Sequence, residues 1–99
     1  MRNIWYHPAA REDAMAGVAW YLERSPLAAQ GFLRELKRSV DRISNSPDAL
    51  PLFHQNTRRC IVQKYPYSVI YRVVGDDIDI LAIAHQRRSP DYWKSRVAE

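Results

Sequence analysis

From Tyr67 to Val74 the chain alternates, with Tyr67, Val69, Tyr71 and Val73 on one side and Ser68, Ile70, Arg72 and Val74 on the other. That is the two-residue period of a strand. Gly75 and Asp76 follow; glycine tolerates positive φ and aspartate bonds its own backbone, so the chain turns there. Ile78 to Ala84 then reads as a second, buried strand. Upstream, Thr57 to Lys64 alternates more loosely, and Tyr65-Pro66 separates it from the next run. A meander is predicted, with His85 to Trp93 leaving its last strand.

The first half of the chain has the longer period. Ala29, Phe32, Leu33, Leu36, Val40 and Ile43 fall at i, i+3, i+4, i+7, i+11 and i+14, the stripe of an amphipathic helix. Ahead of it, Ala10, Ala14, Val18, Tyr21 and Leu22 share one face of an earlier helix, although Gly17 in its middle costs about 1 kcal/mol relative to alanine. Asn3 to His7 is a short apolar strand; Pro8 opens the first helix, and Glu12 and Asp13 are expected near the positive end of its dipole. Ser25-Pro26 ends this helix and caps the next. So short a connection makes an antiparallel hairpin, whose two stripes need the later strands as a shared surface. Ser46 to Pro51 is a turn-rich connector, after which Leu52-Phe53-His54 is expected to tuck against the core.

With 99 residues, 46% of them hydrophobic, the chain suits one domain, 1–99, with a single core. It contains no stretch of about 18 apolar residues to span a bilayer, and its first residues show no signal-peptide apolar region. A cytoplasmic protein is expected, with no membrane partner. The one cysteine, Cys60, lies in a β-patterned run and reads as a buried thiol. Neither it nor His7, His54 and His85 has metal-ligand spacing, and three glycines supply no phosphate loop, so no metal and no cofactor are expected.

The charge is uneven. The formal net value is +4, and no acidic residue occurs from Ala49 to Gly75, where Arg58, Arg59, Lys64 and Arg72 stand; Arg87, Arg88, Lys94 and Arg96 follow the last strand. Arg34, Lys37, Arg38 and Arg42 line the outer face of the second helix beside Glu35 and Asp41, the pattern of a solvated face. A basic sheet half suits either a nucleic-acid backbone or an acidic protein tail. Trp5, Trp20 and Trp93 with six tyrosines exceed what a core this small hides, which assigns some aromatic surface to an interface.

Several segments occur in an order that resembles one family. Pro66-Tyr67-Ser68-Val69-Ile70-Tyr71 is followed by Ala84-His85-Gln86-Arg87-Arg88-Ser89-Pro90-Asp91-Tyr92-Trp93; earlier come His7-Pro8-Ala9-Ala10, Trp20-Tyr21, and Ser25-Pro26 with Ala29. Over nearly its whole length the chain resembles the RelE/ParE family of toxins from type II toxin-antitoxin pairs. The resemblance implies an α+β fold: a short N-terminal strand, an antiparallel helical hairpin, a three-stranded antiparallel meander completing one mostly antiparallel sheet, and a short C-terminal helical turn. It also implies a cognate antitoxin that folds along hairpin and sheet, a contact assigned to Trp20, Tyr21, Arg58, Arg59 and Arg72, with DNA met only indirectly through the antitoxin. Growth arrest and plasmid stabilisation are the associated roles.

The target divides the family. Nuclease members cleave ribosome-bound mRNA without metal, which needs a base, cations for the developing charge and an acid for the leaving oxygen; Arg87 or Arg88 and Tyr92 match their motif, and His85 is a further candidate base. Two departures count against that set. Ser68 stands where those nucleases carry an arginine, and Arg58 and Arg59 replace a lysine pair, arginine being a poor proton shuttle. The ParE-like branch, whose members poison DNA gyrase by binding, is therefore favoured, with Arg87, Arg88, Tyr92, Trp93, Lys94 and Arg96 as the target-binding segment. Alternatives are the mRNA endonuclease, with ribosome and mRNA as partners, and a degenerate toxin acting only as antitoxin-binding co-repressor.

Overall fold

Two capping side chains set the helical hairpin. In the computed structural model, which describes residues 2–98, His7 Nδ1 accepts from Ala9 N at 3.0 Å, and Pro8, with no N–H to satisfy, opens α1 (Pro8–Arg24). Ser25 serves both helices: its N–H donates to Tyr21 O at 2.7 Å, closing α1, and its hydroxyl accepts from Ala28 N at 3.2 Å, starting α2 (Pro26–Asn45). With Ser25 alone between them, the helices double back and pack on each other. Gly17 permits the approach: a Cβ there would lie 2.8 Å from the Phe32 ring. The residue that weakens α1 as an isolated helix is the one that lets α2 reach it.

The sheet has the order β1-β4-β3-β2, with β1 (Ile4–Tyr6) parallel to β4 (Asp77–His85) and β2 (Arg58–Ile61), β3 (Tyr67–Val74) and β4 antiparallel. The expected meander is present, with β2 shorter than its run. Gly75, at φ +61°, takes the first place of the two-residue turn between Val74 and Asp77, as in a type II′ hairpin. A bulge then changes β4: Ile70 pairs with Ala82 but Tyr71 with Ile80, leaving Leu81 extra. Ile78, Ile80 and Ile83 consequently join one cluster, while Ala82 and Ala84 join another.

The larger cluster lies between sheet and hairpin, joining Phe32, Leu36 and Ile43 to Cys60, Val69, Tyr71 and the three isoleucines. Burial pushes the Cys60 thiol pKa up, in keeping with a structural role. The smaller cluster, on the opposite face, holds Ile70, Ala82, Ala84 and Trp93, with Phe53, Tyr92 and Val97 against it. It exists because α3 (Asp91–Lys94) and a 3₁₀ turn (Ser95–Ala98) fold back as a strap.

Several expectations are corrected. Leu22 and Leu33 are half exposed despite their place in the inward stripes. Of Leu52-Phe53-His54 only Phe53 packs inward; Leu52 and His54 are exposed. The first turn of α1 holds no acidic residue, and Asp13 is committed to the sheet instead. Glu35, expected on a solvated face, is buried with its carboxylate 3.1 Å from Arg38 Nη1. Among the described residues no helix is long and apolar enough to cross a membrane.

Candidate functional site

Where β1 stops, β4 presents backbone groups with no neighbouring strand. His7 N still donates to Ile80 O at 2.9 Å. Beyond it, Ile83 N donates to Asp13 Oδ2 at 3.1 Å, and Leu81 O accepts from Arg96 Nη1 at 3.0 Å. Arg96 and Asp13 meet at 2.7 Å with side chains 11% and 10% exposed. One charge-assisted pair thus satisfies an open sheet edge and ties α1 to the strap. A second fastener stands on the strap-covered face: Arg72 Nε lies 3.3 Å from Asp79 Oδ2, its cross-strand partner, and Arg72 Nη1 donates to Val97 O at 2.7 Å.

Between α1, the start of β3 and the end of β4 opens a cleft of about 550 Å³ lined by Glu12, Asp13, Trp20, Tyr21, Tyr67, His85, Arg88 and Tyr92, among others. Its aromatic wall is continuous, since Tyr21 packs on Tyr65 and Phe32 with centroids 5.1 and 5.2 Å away, and Tyr67 on His85 at 5.1 Å. His85 Nδ1 accepts from Arg87 N at 3.1 Å, which shapes the exit turn. Tyr92 lies under the Arg88 guanidinium at 3.6 Å and 5.0 Å from that of Arg96. Its hydroxyl is buried without a hydrogen-bond partner among the described residues. Burial, and secondarily the Asp13 charge, push its pKa up to about 12 against the opposing pull of Arg88 and Arg96.

On the opposite sheet face lies a depression of about 360 Å³. Ile61, Ser68 and Ala84 are cross-strand neighbours there, and the two small side chains lower its floor. Arg59, whose guanidinium sits 4.6 Å over Phe53, forms one wall; Arg88, Pro90 and Trp93 form the other.

The matching family model is described as "ParE toxin of type II toxin-antitoxin system, parDE" and spans residues 4–90. The chain belongs to the ParE toxin family. A curated relative, Toxin ParE2 of Mycobacterium tuberculosis, is 22% identical over 98 residues, covering 98% of this chain and 93% of the relative. In structure, a chain described under "Chromosomal ParDE TA system from P. aeruginosa" aligns at TM-score 0.75 and 21% identity over 86% of this chain and 96% of that one. The fold is therefore that of a ParE toxin.

Within this ParE fold, the residues singled out from sequence divide. Trp20, Tyr21, His85, Arg88 and Tyr92 converge on the cleft, although sequence had assigned the first two to the antitoxin and Arg88 and Tyr92 to the target. Arg87 and Arg88 make no ion pair among the described residues, whereas Lys94 lies 3.4 Å from Asp91. Trp93 and Arg96 are corrected from surface to internal roles: Trp93 is 1% exposed, and Arg96 is spent on Asp13. Arg72 and Arg58 are likewise engaged internally, Arg58 Nη1 donating to Leu50 O at 2.6 Å. Arg59, on the free face, does not share a surface with Trp20. Sequence missed Asp13, because its pairing with Arg96 spans nearly the whole chain.

Proposed function

We propose that this ParE-family toxin arrests growth by binding and poisoning DNA gyrase, and that a cognate antitoxin neutralises it. The observation carrying this reading is the state of Tyr92. A nuclease needs that phenol to deliver a proton to a leaving oxygen, yet its hydroxyl is buried, has no hydrogen-bond partner among the described residues and has its pKa pushed up to about 12. Such a group is a poor acid at neutral pH. Arg87 and Arg88, the latter over the Tyr92 ring, by contrast make no ion pair among the described residues and are charges available to a macromolecular surface. The aromatic cleft and the groove between the helices, with Met15 and Leu33 exposed in it, offer the antitoxin an apolar surface.

The test combines expression and reconstitution. Expression of the chain alone should arrest bacterial growth, co-expression of the adjacent antitoxin gene should relieve it, and the purified protein should inhibit gyrase supercoiling. Cuts in translated messages mapped by primer extension, with gyrase unaffected, would establish the mRNA endonuclease instead. Tight antitoxin binding without arrest would mark a co-repressor.

A further inference from the structure

We propose that the depression over Ser68 and Ala84, on the sheet face away from the hairpin, binds a carboxylate side chain flanked by aliphatic residues on a protein partner. Its position is a consequence of register. Ser68 stands between Ile61 and Ala84 across three strands, so two small side chains form a floor bordered by longer ones. Ser68 is 6% exposed, yet its hydroxyl enters no side-chain hydrogen bond among the described residues. The hydroxyl reaches solvent at the floor of the depression, where it can donate to an incoming acceptor.

The walls supply the matching charge. No acidic residue lines the depression, and neither Arg59 nor Arg88 makes an ion pair among the described residues. Each guanidinium rests on a ring, Arg59 over Phe53 at 4.6 Å and Arg88 over Tyr92 at 3.6 Å. Stacking holds these forks in place, which favours a planar, two-oxygen acceptor. Ile61, Ile70, Ala84 and Trp93 add apolar lining that suits aliphatic neighbours of the carboxylate, and His85 and Gln86 complete the lining with polar side chains.

A nucleic-acid strand fits less well. Single strands bind on exposed aromatic platforms beside tracks of cations, and no platform exists here. Arg59 stacks on the Phe53 ring, Trp93 stacks on it at 6.0 Å and 29°, and Trp93 itself is buried. An acidic peptide segment is the occupant whose charge, shape and apolar flanks match.

This inference rests on the reading that the toxin acts by binding a protein. Its test contains no gyrase, so either idea can fail alone. The ¹⁵N-labelled full chain is titrated with a blocked Leu-Glu-Leu peptide, its Leu-Gln-Leu counterpart and a hexauridylate RNA. The acidic peptide should shift the Ser68 and Ala84 amides and the Arg59 and Arg88 Nε–H resonances saturably, binding about tenfold more tightly than the glutamine peptide. Arg59→Gln and Arg88→Gln should each weaken it several-fold, while the main-core resonances of Leu36 and Ile43 stay unchanged as evidence of folding. Equal binding of both peptides would reduce the site to apolar contact and overturn the proposal. So would absence of saturable shifts, or RNA shifting the same resonances at lower concentration than the acidic peptide.

Discussion

The two faces of the sheet are covered in different ways. Toward the hairpin, a layer of repeating aliphatic and aromatic side chains from both helices and all four strands forms one contiguous core. Toward the strap, a few apolar residues gather around Trp93, and charged fasteners at Arg72–Asp79 and Arg96–Asp13 complete the attachment. The first face stabilises by area removed from water, the second by a single large ring and directional contacts. Because the strap is short, it leaves the rest of its face open, and the unpaired arginines stand beside that opening. Residues that hold the fold and residues free to bind therefore alternate within Arg87 to Val97, so this segment is not purely functional surface.

Substitutions can break that contrast in graded steps. Leu36→Asp on the hairpin side places an unpaired charge in the main core, costing about 4 kcal/mol or more; circular dichroism with urea titration should show no cooperative native transition. Trp93→Ala empties the centre of the smaller cluster and should cost about 3 kcal/mol, lowering the urea midpoint while the hairpin stays helical. A loss below about 1 kcal/mol, the range of ordinary surface changes, would mean the strap is not part of the cooperative fold. Asp13→Ala should cost about 2–3 kcal/mol, since it strands the Arg96 guanidinium and leaves Ile83 N without its acceptor. A double-mutant cycle with Arg96→Ala should recover part of that cost.

The two faces also differ in their tyrosines. Tyr71, buried toward the hairpin, donates from its hydroxyl to Pro47 O at 2.6 Å, whereas the Tyr92 hydroxyl has no acceptor among the described residues. Burial foremost pushes both phenols up to about 12 from the ordinary 10.0. Between those values the native state retains protons that the unfolded chain has released, so the stabilisation is intact below pH 10 and is lost as pH rises toward 12. Stability measured across that window should fall. Each Tyr→Phe variant should flatten the fall, but only Tyr71→Phe should cost about 1 kcal/mol at neutral pH, by depriving Pro47 O of its donor.

The smallest change in stability is expected at Arg87 and Arg88. Replacing both by alanine removes one ring contact, at Tyr92, and no ion pair among the described residues; the loss should stay within about 1 kcal/mol. Antitoxin binding should persist while growth arrest is largely abolished. Full toxicity in a folded double variant would remove these arginines from the active surface.

Much of the fold was legible because it follows from local chemistry. The alternation from Tyr67, the Gly75-Asp76 turn, the stripe of α2, the Pro8 helix start and the Ser25 cap each depend on residues close in sequence. Helical and strand periods, glycine dihedrals and capping hydrogen bonds are short-range properties. The candidate site was legible only in part: Arg88 and Tyr92 line the cleft, but Trp93 is buried and Arg96 and Arg72 are engaged in internal contacts.

Tertiary structure decided what depends on distant partners. Nothing in Ile78 to Ala84 announces the bulge at Leu81, since an apolar run reads alike in either register, yet that extra residue turns Ala82 and Ala84 to the strap side. A basic residue after the last strand has the same composition whether solvated or paired; only the return of the strap brings Arg96 to Asp13, 83 residues away. Ser68 is an ordinary strand residue until Ile61 and Ala84 flank it. Sequence determined the elements and their order because those are set by neighbours along the chain, whereas the division of charges between paired and unpaired was set by neighbours in space.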